Sequence, residues 1–450
     1  YSVKYERKFP FLPLLSTYLE AKRMRKSFIE ELTWRGMIHD QTPGLEVKLN
    51  EQIVIGYIGF DPTAPSLTLG NYVQVMLLTH FQRCGHRPIV LMGGATGRIG
   101  DPSGKDAERE LKSYDELDKN LAHQVKQMTR LLDFENKENG AILVNNLDFY
   151  VEMNALTFLR DVGKHLTINY MMAKESVKKR VEVGMSYTEF SYQLLQAYDY
   201  LRLYRDYGCI LQMGGSDQWG NITSGTEFIR RNVPESEVYA LTTPLLTKAD
   251  GKKFGKSEEG NIWLDPQMTT PYKFYQFWLN VDDRDLPKLF RYFSLLSREE
   301  IERLEAEFMG FPNALKAKLA EELTIRIHGQ SAFQSAKNVT DILFNAKASK
   351  EQLYDLSQTD LALIANEIPS FEIPKSILEE GVSVIDLLSD FSTVLPSKSE
   401  ARRAIQGGAI SVNKDKISDI NTMVNPGHLL HGMYVMIENG KKNKTMLILR

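Results

Sequence analysis

Short apolar runs alternate with longer stretches of helical period over roughly residues 50–245. The runs at 88–92, 141–144 and 209–213 have the length and composition of buried strands. Between them, 114–132 and 189–204 space their apolar residues as amphipathic helices do. Strands that alternate with helices predict a parallel, doubly wound α/β domain, in which ligands bind beyond the carboxyl ends of the strands.

The pattern changes twice after this region. Residues 272–345 are helical and charged, whereas 346–375 have the character of a looser connector. Residues 376–450 combine a short helix with alternating apolar runs, which predicts a small α+β domain. Its end, 396–450, holds nine Lys or Arg and four Asp or Glu, a net charge of +5 against −3 for the whole chain. Any contact with nucleic acid must therefore come from local basic patches and not from the overall field.

The first 23 residues stand apart from the rest. An apolar stretch at 9–15 is interrupted by two prolines, so it makes a poor signal peptide. We expect 1–23 to be an N-terminal extension, with a processed organelle leader as the alternative. Next, Ser27 followed by Glu30 has the spacing of a helix start.

The composition is that of an ordinary globular protein, with 450 residues, 42% hydrophobic and 25% charged. No run approaches the length of a membrane span, so no membrane partner is expected. Two cysteines exclude a disulfide framework and a Cys-rich zinc site. We therefore expect a cytoplasmic location, with the mitochondrial matrix as the alternative, and no protein-ligated metal.

Two distant segments together indicate a nucleotide site. The first, 57–71, reads as strand, turn and helix, with Gly70 in the first helical turn, where backbone N–H groups meet phosphate. The second, 253–257, places Lys253 and Lys256 on either side of Gly255, an arrangement suited to a polyphosphate. The glycine–lysine spacings at Gly100–Lys105 and at Gly251–Lys256 are each one residue shorter than that of a P-loop, which disfavours an ordinary ATPase or GTPase.

Further polar groups follow other predicted strands. A glycine-rich turn after 88–92 leads to Asp101, and a later turn after 209–213 ends in Asp217 and Gln218. Between them, three hydrogen-bonding residues at positions i, i+4 and i+7 share one helix face, and they suit a wall of a small polar pocket: Tyr192, Gln196 and Asp199.

These motifs, in this order, resemble the bacterial-type tyrosyl-tRNA synthetases, which are class I aminoacyl-tRNA synthetases. The similarity runs from about residue 24 to the end. It implies a Rossmann-like catalytic domain at 24–257, an α-helical anticodon-side domain at 272–345, and a C-terminal RNA-binding domain at 376–450. The last domain resembles the α-L module of a ribosomal small-subunit protein.

The resemblance also implies an activity and partners. The protein would be a tyrosine–tRNA ligase that joins L-tyrosine to ATP as tyrosyl-adenylate, releasing pyrophosphate. It would then transfer the tyrosyl group to the 3′-terminal adenosine of its tRNA. ATP would be used with Mg²⁺, and two copies would form a homodimer through their catalytic domains.

Roles for individual residues follow from the same resemblance. For the substrate tyrosine, Tyr57 and Asp101 would bind the hydroxyl and Tyr192, Gln196 and Asp199 the ammonium group, beside Thr96 and Gln218. Contacts to ATP would come from Asp61, Gly70, Gly215, Asp217 and Lys256. Groups acting on the phosphates would be Thr63, Thr68, Asn71, Lys105, Arg109, Lys253, Lys256 and Ser257. For RNA, the candidates are Arg230, Arg231, Lys398, Arg402 and Arg403, with charge added by Lys441, Lys442 and Lys444.

One motif departs from the family pattern. Where the family usually has His-Ile-Gly-His, this chain has Thr68-Leu69-Gly70-Asn71. A threonine hydroxyl is shorter than an imidazole and is never cationic. Two interpretations follow: an active variant in which Thr68 or a neighbour compensates, or a non-catalytic RNA-binding or intron-folding paralogue. A tryptophan-specific relative is a third, against which stand Tyr57 and Asp101, because they suit a phenol.

Overall fold

The structure is a computed structural model that describes residues 26–103, 110–257, 260–345, 347–440 and 443–450. It divides into two compact units. One joins the chain up to Thr269 with Val281–Leu319, and the other joins Thr270–Asn280 with Ala320–Arg450. Several predicted sites lie outside the described residues: the extension 1–23, Lys105, Arg109, Lys441, Lys442 and the side chain of Ser257.

The elements are numbered in chain order. The described α-helices are α1 (Phe28–Arg35), α2 (Leu45–Glu51), α3 (Leu69–Arg83), α4 (Tyr114–Leu131), α5 (Ala155–Asp161), α6 (Ile168–Met172), α7 (Glu175–Val183), α8 (Tyr187–Tyr207), α9 (Trp219–Asn232), α10 (Pro271–Leu279), α11 (Leu286–Phe293), α12 (Arg298–Glu307), α13 (Pro312–His328), α14 (Gln330–Phe344), α15 (Lys350–Tyr354), α16 (Gln358–Glu367), α17 (Ser376–Glu379), α18 (Val384–Ser389) and α19 (Lys398–Gln406). The described strands are β1 (Asp40–Gln41), β2 (Ile55–Phe60), β3 (Arg87–Met92), β4 (Ile142–Asn145), β5 (Leu211–Gly215), β6 (Tyr239–Thr243), β7 (Lys256–Ser257), β8 (Gly260–Asn261), β9 (Ser370–Ile373), β10 (Val382–Ser383), β11 (Ile410–Val412), β12 (Asp415–Lys416), β13 (Met423–Val424), β14 (Tyr434–Asn439) and β15 (Asn443–Leu449).

The first unit is built on a six-stranded sheet with the order β1-β6-β5-β2-β3-β4. All its pairings are parallel except that of the short edge strand β1 with β6. The predicted strands 88–92, 141–144 and 209–213 are confirmed as β3, β4 and β5, each displaced by one or two residues. The predicted doubly wound α/β class is therefore confirmed for this unit.

The centre of this sheet opens between two neighbouring strands. β2 pairs with β5 only at Gly56–Leu211 and Tyr57–Gln212, whereas it stays paired with β3 as far as Phe60–Met92. The chain order also reverses here, because β3 and β4 lie on one side of β2 and β5 and β6 on the other. Such a reversal leaves a crevice at the carboxyl ends of the strands.

Local signals place the helices of this unit correctly. Ser27 caps α1 and accepts a hydrogen bond from the Glu30 backbone N–H, as predicted. The helices predicted at 114–132 and 189–204 are found as α4 and α8, and Ser186 caps the latter. Within the described chain, no helix has the length and apolar content needed to cross a membrane.

The second unit contains helices and a five-stranded sheet with the order β12-β11-β14-β15-β9, in which β9 runs parallel to β15. Buried apolar residues of α18, α19 and the strands form its core. The stretch 346–375, expected to be a loose connector, contains α15, α16 and β9 instead. Ser349 and Ser357 each form a reciprocal cap, and these start the two short helices.

The predicted helical domain at 272–345 is shared between the two units. Val281–Leu319, with α11 and α12, belongs to the first unit, whereas α10 and α14 belong to the second. The division arises because Tyr72 on α3 stacks on Phe293 of α11, with ring centroids 5.7 Å apart. The remaining domain boundaries stay predictions.

A buried ion pair ties α7 to α8. Arg180 donates to both carboxylate oxygens of Glu189 at 2.8 and 3.0 Å, and the two side chains are only 3% and 2% exposed. Because both charges are removed from water, each depends on the other for compensation.

We predict that Glu189→Ala lowers the free energy of unfolding by about 3 to 5 kcal/mol, because it removes the carboxylate that compensates the buried Arg180 charge. The control is Asp206→Ala, which breaks the partly exposed pair of Arg202 with Asp206. That change is expected to cost less than about 1 kcal/mol. Urea unfolding of the two variants measures the difference, and equal costs would contradict the prediction.

Candidate active site

A cavity of about 300 Å³ lies where β2 and β5 part. Its wall includes the ends of both strands, the start of α3 and one face of α8. It brings together most of the residues predicted for the site: Tyr57, Asp61, Thr63, Gly70, Asn71, Thr96, Asp101, Tyr192, Gln196, Asp199, Gly215, Asp217 and Gln218.

One end of the cavity is formed by buried phenol and carboxylate groups. Asp199 is 1% exposed, and it accepts hydrogen bonds from Asn146 Nδ2 at 2.9 Å and from the Tyr150 hydroxyl at 2.7 Å. Tyr57 is equally buried, and its hydroxyl has no hydrogen-bond partner among the described residues. Burial and then the charge of Asp199 raise the pKa of Tyr57, so its phenol stays protonated.

Burial also acts on Asp199 itself. It raises the pKa of this carboxyl to about 7, although the hydrogen bonds from Asn146 and Tyr150 oppose the shift. A charged carboxylate is costly to desolvate unless donors surround it. Asp199 therefore titrates near neutral pH. At that pH the fraction of Asp199 that is ionised depends on the hydrogen bonds from its two donors.

A second carboxylate, Asp61, lies beyond β2. Its Oδ2 accepts a hydrogen bond from the Tyr192 hydroxyl at 2.8 Å, and its Oδ1 accepts one from Thr96 Oγ1 at 2.6 Å. Gly93 makes this approach possible, since a Cβ there would lie 2.0 Å from Asp61 Oδ1. The glycine-rich turn after β3 thus allows polar groups to pack closely against its backbone.

A third group of polar side chains surrounds Asp101. Its Oδ2 accepts from Gln218 Nε2 at 2.6 Å, and its Oδ1 accepts from the Ser103 backbone N–H at 2.9 Å. Asn221 is also part of this group, and its Nδ2 lies 3.1 Å from Gln196 Oε1. Asp101, Gln196 and Gln218 are therefore neighbours.

This geometry corrects one predicted grouping. The sequence resemblance pairs Asp101 with Tyr57 at the hydroxyl end and assigns Asp199, with Tyr192 and Gln196, to the ammonium end. In the structure Asp199 is the carboxylate that acts on Tyr57, whereas Asp101 is hydrogen-bonded to Gln218. The reason is helical geometry: positions 196 and 199 share a helix face but lie about 4.5 Å apart along the helix axis, so their side chains reach different parts of the cavity.

The start of α3 forms another part of the wall. Thr68 caps this helix, and its Oγ1 accepts from the Asn71 backbone N–H at 3.2 Å. Asn71 Oδ1 in turn accepts from the Thr68 backbone N–H at 3.0 Å and from its hydroxyl at 2.8 Å. Because the amide oxygen is occupied in this way, the Asn71 Nδ2 group is left as a donor, and Asn71, not Thr68, lines the cavity.

The lysine segment packs directly against this helix start. Gly255 has φ +80°, and a Cβ there would lie 3.0 Å from Leu69 Cβ. The Leu69 N–H donates to Ile262 O at 3.0 Å, and the Ile262 N–H donates to Gly255 O at 2.9 Å. The two distant segments predicted to form one nucleotide site therefore meet in space.

Charges around the cavity mouth act on one another. Burial raises the pKa of Asp217, and Asp101 raises it further, whereas the nearby Lys253 ammonium lowers it. Lys253 and Lys256 are exposed, and they belong to the segment that packs on the start of α3. The mouth therefore offers cations near the first turn of α3, an arrangement that suits an anionic ligand.

Several residues predicted to contact RNA are already engaged within the protein. Arg230 and Arg231 both bind Glu227, at 2.7 and 2.6 Å, and they lower the pKa of this carboxyl to about 2. Lys398 bridges two carboxylates of the second unit, Asp386 and Asp390.

Lys444 was expected to add charge to the RNA surface, and this prediction is wrong. Its side chain is 7% exposed and donates to Leu343 O at 2.7 Å. Arg402 and Arg403 on α19 are exposed, as an RNA contact requires.

Known proteins resemble this chain over nearly its whole length. Residues 49–345 match the family described as tRNA synthetases class I (W and Y), and 360–447 match the SYY-like C-terminal domain of tyrosine–tRNA ligases. A tyrosine–tRNA ligase of Cytophaga hutchinsonii is 54% identical over 426 residues, which cover 94% of this chain and 99% of that protein. One from Bacteroides thetaiotaomicron is 51% identical over 429 residues, with the same coverage. The chain belongs to the tyrosyl-tRNA synthetases.

Solved structures agree with this assignment. A C-terminally truncated mitochondrial tyrosyl-tRNA synthetase from Aspergillus nidulans has a TM-score of 0.63 at 31% identity, covering 72% of this chain and 97% of that one. The Archaeoglobus fulgidus tyrosyl-tRNA synthetase complexed with L-tyrosine shares the fold, with a TM-score of 0.51 at 18% identity. The predicted family and ligase activity are confirmed, and the non-catalytic alternative is not favoured.

Three polar residues of the site were missed at the sequence level: Asn146, Tyr150 and Asn221. Asn146 directly follows β4, so the rule that ligands bind beyond the carboxyl ends of strands would have pointed to it. Tyr150 and Asn221 carry no such local signal, because their roles depend on α8 and on the turn at Asp101.

We predict that wild-type stability falls relative to Asp199→Asn as the pH rises from about 4 to about 7. In this window the folded protein keeps the Asp199 proton that the unfolded chain has lost, because its folded pKa is about 7. The difference is on the order of 4 kcal/mol over the full window. Thermal unfolding midpoints measured against pH test this, with Asp206→Asn on the same helix as control. A pH-independent difference would contradict it.

Proposed function

We propose that this synthetase binds L-tyrosine with its phenol at the Tyr57–Asp199 end of the cavity and ATP at the mouth formed by α3 and the lysine segment. The observation that carries the proposal is the Tyr57 hydroxyl, which is buried without a partner among the described residues beside the Asp199 carboxylate. The hydroxyl of a bound tyrosine would form hydrogen bonds with both the Tyr57 hydroxyl and the Asp199 carboxylate. Phenylalanine would leave them unpaired, an effect for which this enzyme family is the established example.

The ammonium group of tyrosine would be bound at the opposite end of the substrate. Asp101 supplies a carboxylate there, and Tyr192 and Gln196 supply hydrogen-bonding oxygens. The hydrogen bonds from Gln218 and the Ser103 backbone hold Asp101 in place. Thr96 acts through Asp61, to which it is hydrogen-bonded.

The first reaction step is an in-line attack of the tyrosine carboxylate on the α-phosphate of ATP, which releases pyrophosphate. The carboxylate is ionised at neutral pH, so this step needs positioning and cations and no general base. Lys253 and Lys256 would stabilise the leaving pyrophosphate, together with Thr63 and the Asn71 amide. Lys105, Arg109 and Ser257 are proposed for the same task on the basis of sequence resemblance alone.

ATP would bring Mg²⁺ with it. Among the described residues, no cluster of three or more His, Cys, Asp or Glu side chains could hold a metal ion. Mg²⁺ commonly binds through substrate phosphates with few protein ligands. Asp61, Gly70, Gly215 and Asp217 are proposed to contact the nucleotide itself.

In the second step a ribose hydroxyl of the tRNA 3′-terminal adenosine attacks the adenylate carbonyl and expels AMP. Arg402 and Arg403 are the proposed RNA contacts on α19, because their side chains are exposed. Arg230, Arg231 and Lys398 would contribute only after exchanging a carboxylate for phosphate.

We also propose a cytoplasmic location, in keeping with two free buried thiols, Cys84 and Cys209.

The test of this function is tyrosine-dependent exchange of pyrophosphate into ATP. We expect exchange with tyrosine but not with phenylalanine or tryptophan. Lys253→Ala should reduce kcat about 10²-fold, because it removes a cation from the leaving group. The neighbouring Lys252→Ala, which breaks only an exposed contact with Asp250, should stay within about twofold. Folded wild-type protein without exchange would disprove the proposal.

We further predict that Asn71 matters more than Thr68 for this exchange. Asn71→Ala removes the donor that faces the cavity and should cost about 10²-fold in kcat. Thr68→Ala removes only the helix cap, worth about 1 kcal/mol, so a loss below about tenfold is expected. Thr68→Ser keeps the hydroxyl and serves as control. A larger loss for Thr68→Ala than for Asn71→Ala would contradict this order.

A homodimer through the first unit is also proposed. Several large apolar side chains are strongly exposed between residues 151 and 187, among them Leu156, Ile168 and Tyr187. Such exposure indicates an interaction surface. We expect a dimer in light scattering at micromolar concentration and a shift toward monomer for Tyr187→Asp. Met309→Asp, at an exposed apolar residue elsewhere, should remain dimeric; a monomeric wild type would overturn the proposal.

A further inference from the structure

Tyr150 lies against the Asp199 carboxylate and has no role in the proposed reaction. It directly follows the 3₁₀ turn Asn146–Phe149, and its hydroxyl lies 2.7 Å from Asp199 Oδ1 and 3.0 Å from Leu195 O. Leu195 lies inside α8, so its carbonyl already faces the N–H four residues on. A hydroxyl has one hydrogen to donate, and a carboxylate is the stronger acceptor. The Tyr150 hydrogen therefore goes to Asp199.

We infer that Tyr150 is a positioning residue that holds the Asp199 carboxylate as an acceptor for the substrate hydroxyl, and so contributes to selection of tyrosine. This inference rests on the proposed binding of tyrosine at the Tyr57–Asp199 end. Asn146 performs the matching task on the other carboxylate oxygen, at 2.9 Å.

The physical argument concerns the charge state of a buried acid. An ionised carboxylate only accepts hydrogen bonds, whereas a protonated one presents a donor on one oxygen. Burial favours the protonated form of Asp199, and each donor to its oxygens favours the ionised form. Loss of the Tyr150 hydroxyl would leave Asn146 alone to oppose burial.

The ring of Tyr150 is fixed independently of its hydroxyl. It packs against Tyr198 of α8, with centroids 5.6 Å apart and planes tilted by 54°. Tyr150→Phe should therefore keep the ring in place and delete one hydrogen bond. The substitution therefore tests the hydroxyl separately from the packing of the ring.

Other titratable groups also face Asp199. They are Tyr57 on β2, Asp61 beyond the end of β2, and Tyr192 on α8 itself. Both tyrosines are neutral near pH 7, because burial raises their pKa values well above 10. Asp61 repels a charge on Asp199, but it does so equally with and without the Tyr150 hydroxyl. The difference in the pKa of Asp199 between wild type and Tyr150→Phe is therefore attributed to the Tyr150 hydroxyl.

The experiment compares wild type, Tyr150→Phe and Tyr198→Phe in tyrosine-dependent pyrophosphate exchange from pH 5.5 to 9. Tyr198→Phe is the matched control, because it removes the hydroxyl of the ring against which Tyr150 packs and keeps the Tyr150–Asp199 hydrogen bond. For Tyr150→Phe we expect the pH midpoint of KM for tyrosine to rise by about one unit. At pH 6 this is about a tenfold higher KM, which narrows to about twofold at pH 8, with kcat little changed.

Selectivity gives a second readout. KM for phenylalanine, measured at high enzyme concentration, should stay constant, so the preference for tyrosine falls by the same factor at pH 6. A wild-type pH profile and selectivity in Tyr150→Phe would overturn the inference. So would a pH-independent loss of kcat, since that is the signature of a merely structural role.

A measurement without substrates separates this inference from the proposed function. The pH dependence of the thermal unfolding midpoint reports Asp199 in the protein alone, and in Tyr150→Phe its levelling-off should move to higher pH by about one unit. If wild type shows no exchange, the proposed function fails while this titration still decides whether Tyr150 acts on Asp199. An unchanged titration would overturn the inference.

Discussion

The parting of β2 from β5 is the constraint on which the rest of the site depends. Two parallel strands that share only the pairs Gly56–Leu211 and Tyr57–Gln212 leave their later backbone groups facing a gap. The sheet tolerates this because β2 keeps its hydrogen bonds to β3 as far as Phe60. Elements that carry site residues then surround this gap: the start of α3, the turn after β3, the end of β5 and one face of α8.

Polar groups in such a gap must find partners, and here most do. Asp61 and Asp199 are linked through hydrogen bonds of Thr96 and Asn146, whereas Asp101 is held by Gln218. These groups are held before any ligand arrives, and such preorganisation is what makes binding selective and transition-state stabilisation effective. The buried Tyr57 hydroxyl has no partner among the described residues, and a site built to bind a phenol requires such a group.

The departure from the usual signature acquires a physical explanation at the start of α3. Thr68 and Asn71 satisfy each other in a reciprocal cap, so the helix start is rigid although neither residue is cationic. Cationic charge at the mouth comes from the lysine segment, which packs on the same turn through Gly255. The second unit shows the opposite use of charge, since Lys398 and Lys444 serve internal contacts and leave fewer basic groups for RNA.

The sequence by itself determined the class of fold, the order of strands and helices, and the identity of most residues in the cavity. These depend on short-range signals: apolar periodicity, helix caps, and polar residues that follow buried strands. The helix face shared by Tyr192, Gln196 and Asp199 is of this kind, because 3.6 residues per turn is a local property. Ser27 likewise marked a helix start that the structure has.

Only the tertiary structure decided which partner each of these side chains meets. Asp199 lies by Tyr57 and Tyr150 and not by the ammonium end, Lys444 is buried, and 346–375 folds into two helices and a strand. Thr68 bonds to Asn71 instead of lining the cavity. Contacts between residues distant along the chain are set by packing and by competition for hydrogen bonds. Neither of these leaves a periodic trace in the sequence.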